Sequence, residues 1–303
     1  MRIQHRYLVY DSHTNVIGPI KRTLDRYSCE YKYKEDLHCV IPSFKYLIEF
    51  YLYEDTTGFE DLKEAVDSYG IISQVGTVYE KADIENADWF VINTGEYQYP
   101  QPEGDFGYLK ATFDLDAYCG VCGIGKIQNA PYRLKAEPKQ TKNQFWGLHW
   151  EFEAIFVRPE TKQFLENEKV KGIAFSKPLL HKKNSEVESI FQLHIDTILD
   201  RGFDDYNTKT VTCKTDNEEE CNIDTNLKCC GRVKFHHPQI GGYLFNKSLF
   251  NPDYEIVQTN EYFGSGGSAA RLQVVSKRIK NLIEKQKLKG LSFTPIVHEQ
   301  SRR

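Results

Sequence analysis

The sequence predicts an α+β protein in two parts, an N-terminal acidic α+β region over residues 1–112 and a double cysteine-knuckle region over 113–303. Three observations carry this division. Cysteines with metal-ligand spacing occur only in the second part, a segment of that part recurs 118 residues downstream, and acidic residues concentrate between Tyr51 and Asp105. A chain of 303 residues with 13% aromatic content can bury a sizeable core and is too aromatic to be disordered. The net charge of −4 argues against coating nucleic acid or an anionic membrane. No stretch approaches the ~18 apolar residues of a membrane span, and the apolar run near Tyr7 is too short for a secretory signal. A cytoplasmic protein is expected.

In the N-terminal region, Thr56 to Tyr69 reads as a helix with Leu62, Val66 and Tyr69 on one face and Gly70 ending it. Val78-Tyr79 and Trp89-Phe90-Val91-Ile92 read as strands. From Tyr51 to Asp105 there are 13 acidic residues against Lys63 and Lys81. Such a run usually forms a solvated face, but it also suits a basic partner, with Glu60, Asp61, Glu64 and Asp67 exposed on the helix. The Pro- and Tyr-rich stretch from Asn93 to Glu103 is a connector expected to pack over the core.

The cysteine-knuckle region opens with Cys119-Gly120-Val121-Cys122-Gly123. Two intervening residues let both thiolates reach one Zn²⁺ at ~2.3 Å, and the glycine suits a φ > 0 turn that aims backbone amides at sulfur. A thioredoxin-like redox pair needs a helix start after the motif, and Gly123, Gly125 and Pro131 make a poor one. Downstream, Cys229-Cys230-Gly231 repeats the Cys-Gly ending, with Cys213 and Cys221 before it. The expected zinc ligands are Cys119, Cys122, Cys221 and Cys230, with Cys229 as the alternative to Cys221 and His236 or His237 as substitutes. Cys29 and Cys39 stand alone and read as structural. His149 and Glu151 form an alternating pair that suits general acid/base work, but no nucleophile or oxyanion site accompanies them, so no catalytic group is assigned.

Residues 156–175 and 274–293 align without a gap. Lys162/Lys280, Glu166/Glu284, Lys169/Lys287, Lys171/Lys289, Gly172/Gly290 and Phe175/Phe293 are identical. Pro159 and Ser276 mark helix starts, Lys-Gly marks each end, and a short strand follows. Phe164 and Leu282 are expected to be buried at equivalent places. With the cysteine elements ahead of them, these segments predict two repeats, at about 113–180 and 220–297. The polar stretch from Asp204 to Asn226 reads as a mobile insertion. Gly264-Ser265-Gly266-Gly267-Ser268 leads into a strand and not a helix, which makes it a hairpin or loop and not a phosphate cradle.

This arrangement of two Cys-Gly elements resembles the double-CXXCG motif family of bacterial proteins, over about residues 113 to 297. The second element departs from the pattern, because Leu227 stands where the first cysteine of CxxCG would fall. Members of the family are associated with immunity against contact-delivered toxins. The resemblance therefore implies a non-enzymatic, zinc-stabilised immunity protein that binds and neutralises a cognate toxin. The alternatives are a zinc-ribbon nucleic-acid adaptor using the basic segment 277–289, weakened by the absence of interleaved exposed aromatics, and an enzyme using His149 and Glu151, which would need a deep pocket around them.

Overall fold

The computed structural model describes the chain except for residues 12–14, 36–44, 96, 99–106, 140, 150, 215–228 and 299–303. The described residues form a mixed α/β protein, mostly β, with six α-helices. They divide into two compact units, residues 1–86 with 238–242, and residues 87–237 with 243–303. No described helix is long and apolar enough to cross a membrane.

The first unit is an antiparallel sheet in the order Tyr31–Lys34, Tyr46–Tyr53, Arg2–Asp11, Gln74–Val78. Alternate residues of its two long strands are buried, including Tyr7, Val9, Ile48, Phe50 and Leu52, so one face is covered. Ile17, Ile20 and Leu24 of helix Ile17–Arg26 cover it together with Phe59, Leu62 and Val66 of helix Phe59–Asp67. The second helix is shorter than the span from Thr56 to Tyr69. Tyr69 lies past its end and is exposed, and Phe59 takes the expected place in the core. Gly58 and Gly70 flank the helix with φ of 78° and 74°.

The unit ends at Asn86 and not near residue 112, because Trp89–Thr94 is a central strand of the second unit. Its first four residues are all buried, as expected of a strand covered on both faces. It lies in a seven-stranded sheet ordered Thr210–Thr212, Val233–Phe235, Ile256–Phe263, Ala270–Ser276, Trp89–Thr94, Leu291–His298, Tyr243–Phe245. A five-stranded sheet runs Ile173–Ser176, Phe191–Ile195, Glu151–Val157, Phe145–Leu148, Tyr97–Gln98.

Each sheet contains a module of similar element order, with corresponding strand pairings. A hairpin leads into a helix and then a strand: Phe145–Leu148, Glu151–Val157, Pro159–Asn167, Ile173–Ser176 in one, and Ile256–Phe263, Ala270–Ser276, Lys277–Lys285, Leu291–His298 in the other. Both helices are followed by a lysine at φ 53°, Lys169 and Lys287, and then by a positive-φ glycine, Gly172 and Gly290. Lys162 pairs with Glu166 and Lys280 with Glu284, each at 2.7 Å. A fourth strand lies between the hairpin and the last strand. Phe191–Ile195 fills that place in one module and Trp89–Thr94 in the other, so that Val157 faces Phe191 as Val275 faces Phe90. Phe164 and Leu282 are only half-buried. The buried helix positions are Thr161 and Leu165 in one module and Ile279, Lys280 and Ile283 in the other; Leu165 and Ile283, one residue further round than Phe164 and Leu282, line one small apolar cavity with Ile92 and Leu193.

Contacts between the modules are reciprocal. The Lys289 amide donates to Gln144 Oε1 at 2.7 Å, and the Lys171 amide to Glu255 Oε2 at 2.8 Å. Gln144 and Glu255 each directly precede the first strand of the opposite module's hairpin. Gly290 likewise sits against the Phe145 carbonyl, and Gly172 against that of Ile256.

Candidate metal centre

Four cysteines converge in the second unit: Cys119, Cys122, Cys213 and Cys230. All four sulfurs lie within 4.8 Å of one another, with Cys119–Cys213 at 3.8 Å and Cys122–Cys230 at 3.6 Å. These separations are too long for disulfides. Four sulfurs placed tetrahedrally at ~2.3 Å from one ion would be about 3.8 Å apart. The cluster therefore has the donor type and spacing to hold a metal ion.

Two matching turns build it. In the first, the Gly123 amide donates to Cys119 O at 2.8 Å and the Cys119 amide to Ile124 O at 2.9 Å. In the second, the Gly231 amide donates to Cys213 O at 3.0 Å and the Cys213 amide to Arg232 O at 2.9 Å. Gly123 and Gly231 both take positive φ, 81° and 71°. The amides of Ile124 and Arg232 donate to the Cys122 and Cys230 thiols respectively. Cys213 therefore stands to Cys230 and Gly231 as Cys119 stands to Cys122 and Gly123, with residues 214–229 between Cys213 and Cys230 in the chain.

Sequence spacing missed Cys213 because the turn closes through contacts between distant residues. Thr210–Thr212 pairs antiparallel with Val233–Phe235 and brings Cys213 beside Cys230. The early part of the 204–226 stretch, expected to be mobile, is thus a strand that ends in a buried cysteine. Cys221 lies outside the described residues, as does Cys39. Cys229 is half-buried beside the cluster but is not one of the four. His236 and His237 are also absent from it; His237 Nδ1 lies 2.8 Å from Tyr243 Oη. Cys29 packs against the core of the first unit.

Positive charge surrounds the sulfurs. Arg232 Nε donates to Cys230 Sγ at 3.2 Å, while Nη2 donates to the carbonyls of Ala117 and Ile124. Burial pushes the Cys230 thiol up, but the hydrogen bonds from Arg232 outweigh it and bring the thiol down to about 6. Burial raises Cys122 and Cys213. Lys234, only 1% exposed, donates from Nζ to the carbonyls of Cys122, Gly266 and Ser268. The last two belong to the glycine-rich turn between Ile256–Phe263 and Ala270–Ser276. That turn packs so closely on the first knuckle that a Cβ at Gly123 would overlap the Gly267 carbonyl.

The other residues singled out by sequence lie apart from the cluster. Glu151 is buried and ion-paired with Lys126, whereas His149 is exposed, and no hydrogen bond joins His149 to Glu151 among the described residues. Glu60, Asp61 and Glu64 are exposed on helix Phe59–Asp67. Asp67 differs from expectation: it is half-buried, taking Lys63 Nζ at 2.6 Å and the Tyr7 hydroxyl at 3.2 Å. No protein-family model matches the chain, and no curated protein matches it.

Proposed function

We propose that the protein is a zinc-stabilised, non-enzymatic binding protein of the immunity type, which sequesters a cognate toxin through the acidic surface of its first unit. The observation that supports this most is the pair of matched cysteine turns with four sulfurs at tetrahedral spacing. Zinc suits four thiolates with no open position, an arrangement that stabilises folds and leaves no site for substrate. Cys119, Cys122, Cys213 and Cys230 would hold the ion, and its binding free energy would add to folding. The corresponding strand pairings of the two modules favour an origin by internal duplication of a knuckle–hairpin–helix–strand plan, with the second knuckle split later by residues 214–229.

Metal analysis of protein purified without chelators is expected to give about one zinc per chain, lost in Cys119→Ser and Cys213→Ser. Substoichiometric metal that does not rise on adding zinc would overturn the metal assignment. For the immunity reading, cells expressing the chain are expected to survive the toxin encoded beside its gene. Unchanged killing with soluble, folded protein present would sink that reading and leave the metal centre standing.

A further inference from the structure

A cleft of about 360 Å³ opens between the two modules of the second unit. Its walls come from Lys126–Gln128, the strands Glu151–Val157 and Ala270–Ser276, and the segments around Gln192–Asp196 and Gln258. The two modules provide an internal control on its chemistry. Gln192 stands where the other module has Val91, and Gln273 where the other has Ile155. The fold thus accepts apolar side chains at these buried positions, yet the cleft carries amides, which cost free energy unless hydrogen-bonded. They are bonded: Gln128 and Gln192 exchange two hydrogen bonds at 2.9 and 2.6 Å, and Gln273 donates to the Glu153 carbonyl.

Charge is divided between the modules at corresponding positions. Glu153 lines the cleft from one and Arg271, 118 residues later, from the other. The Arg271 amide donates to Glu153 Oε1 at 2.7 Å, but no ion pair joins the two side chains among the described residues. The guanidinium lies over the Tyr262 ring at 4.6 Å, and its Nε is buried without a hydrogen-bond partner. Lys126 is already engaged by Glu151. Burial, followed by the neighbouring Glu151, raises the Glu153 carboxyl to about 6, so a cationic partner would relieve it.

We propose that this cleft is a binding site for a small zwitterion of the α-amino-acid type, with the ligand carboxylate on Arg271 and its ammonium on Glu153. A simple anion would satisfy Arg271 but meet Glu153 and Asp196, and a polyamine would meet Arg271 and Lys126. A neutral sugar would leave the two opposed charges unmatched.

The test is calorimetry and ligand-observed NMR on the full-length protein, using the natural L-amino acids singly at millimolar concentration. At least one is expected to bind, with Arg271→Gln and Glu153→Gln each weakening it roughly tenfold or more, the loss of one charge-assisted contact. The N-acetyl and methyl-ester forms of that amino acid, each lacking one charge, are expected to bind the unaltered protein comparably weakly. This arm decides the matter even if a variant does not fold. The proposal is overturned if no amino acid binds, if both blocked forms bind as well as the parent, or if orthophosphate, spermidine or glucose binds and amino acids do not.

Discussion

The buried ammonium of Lys234 donates to the carbonyl oxygen of Cys122, one of the four clustered cysteines, at 3.2 Å. A lysine only 1% exposed is costly to bury, and its Nζ donates to the carbonyls of Cys122, Gly266 and Ser268. Four thiolates around one Zn²⁺ carry a net charge of about −2, which Lys234 and Arg232 together would balance. Lys234→Met is therefore expected to weaken zinc binding by about 10- to 100-fold, as loss of an outer-shell partner does. Competition with a chromophoric chelator measures this. The metal-free proteins are expected to differ much less in stability, because the proposed contribution of the ammonium is to the charge of the bound ion's site. Equal zinc affinity in the two proteins would show that Lys234 only ties the glycine-rich turn to the knuckle.

Sequence made three of the four clustered cysteines legible. Cys119 and Cys122 stand in one CxxCG, and Cys230 keeps the Cys-Gly ending of another. The fourth, Cys213, is separated from its knuckle partner by residues 214–229, and only strand pairing between Thr210–Thr212 and Val233–Phe235 joins them. The same distinction holds for the fold. Helix, Lys-Gly and strand share a constant 118-residue offset and can be read directly. Their intervening strands cannot, because Phe191–Ile195 follows its module in the chain while Trp89–Thr94 precedes its own. Burial around a helix is set by its packing partners and not by apolar content alone. Apolar content therefore points to Phe164 and Leu282, whereas Leu165 and Ile283 hold the core positions.

Glu153 gives a pH-dependent prediction. Its folded pKa of about 6 lies above the ordinary carboxyl value of 4.5, so the native state holds the proton more tightly than the unfolded chain. This contribution is complete below about pH 4.5 and is lost as pH rises through about 6. At neutral pH the ionised group then costs the fold about 2 kcal/mol relative to acid conditions. Glu153→Gln, which keeps an acceptor for the Arg271 amide, is expected to raise the melting temperature near neutrality and to change it little near pH 4.5. A variant destabilised at both values would place Glu153 among groups needed in ionised form.

Glycine positions separate conformational strain from steric conflict. Gly231 has φ 71°, and a Cβ added there would have nothing within 4 Å, so Gly231→Ala should cost about 1 kcal/mol, the left-handed backbone penalty alone. Gly290, at φ 109°, would drive a Cβ into the Phe145 carbonyl oxygen. Gly290→Ala is therefore expected to cost about 3 kcal/mol or more, because the reciprocal contact between modules must open. Denaturant titration of both variants tests the order. Equal losses would mean that the strand Leu291–His298 shifts freely away from Phe145.

The acidic helix supplies the partner prediction. Helix Phe59–Asp67 buries Phe59, Leu62 and Val66 and presents Glu60, Asp61 and Glu64 to solvent, so those three can be altered without touching the core. Asp67 must be left in place, because Lys63 and Tyr7 use its carboxylate. An inhibitor of a basic toxin gains association rate from an acidic surface, and the gain falls with salt because it acts over a Debye length of roughly 10 Å. Reversal of Glu60, Asp61 and Glu64 to Lys is expected to slow association about tenfold or more at low ionic strength, with a smaller difference at high salt. The dissociation rate should change less, since rim charges act mainly on encounter. Should a toxin partner be identified as the proposed function requires, stopped-flow or surface-based kinetics with it measures both rates, and circular dichroism checks the fold. If association is as fast in the triple variant as in the parent protein, the toxin docks elsewhere, and the acidic helix is a solvated face.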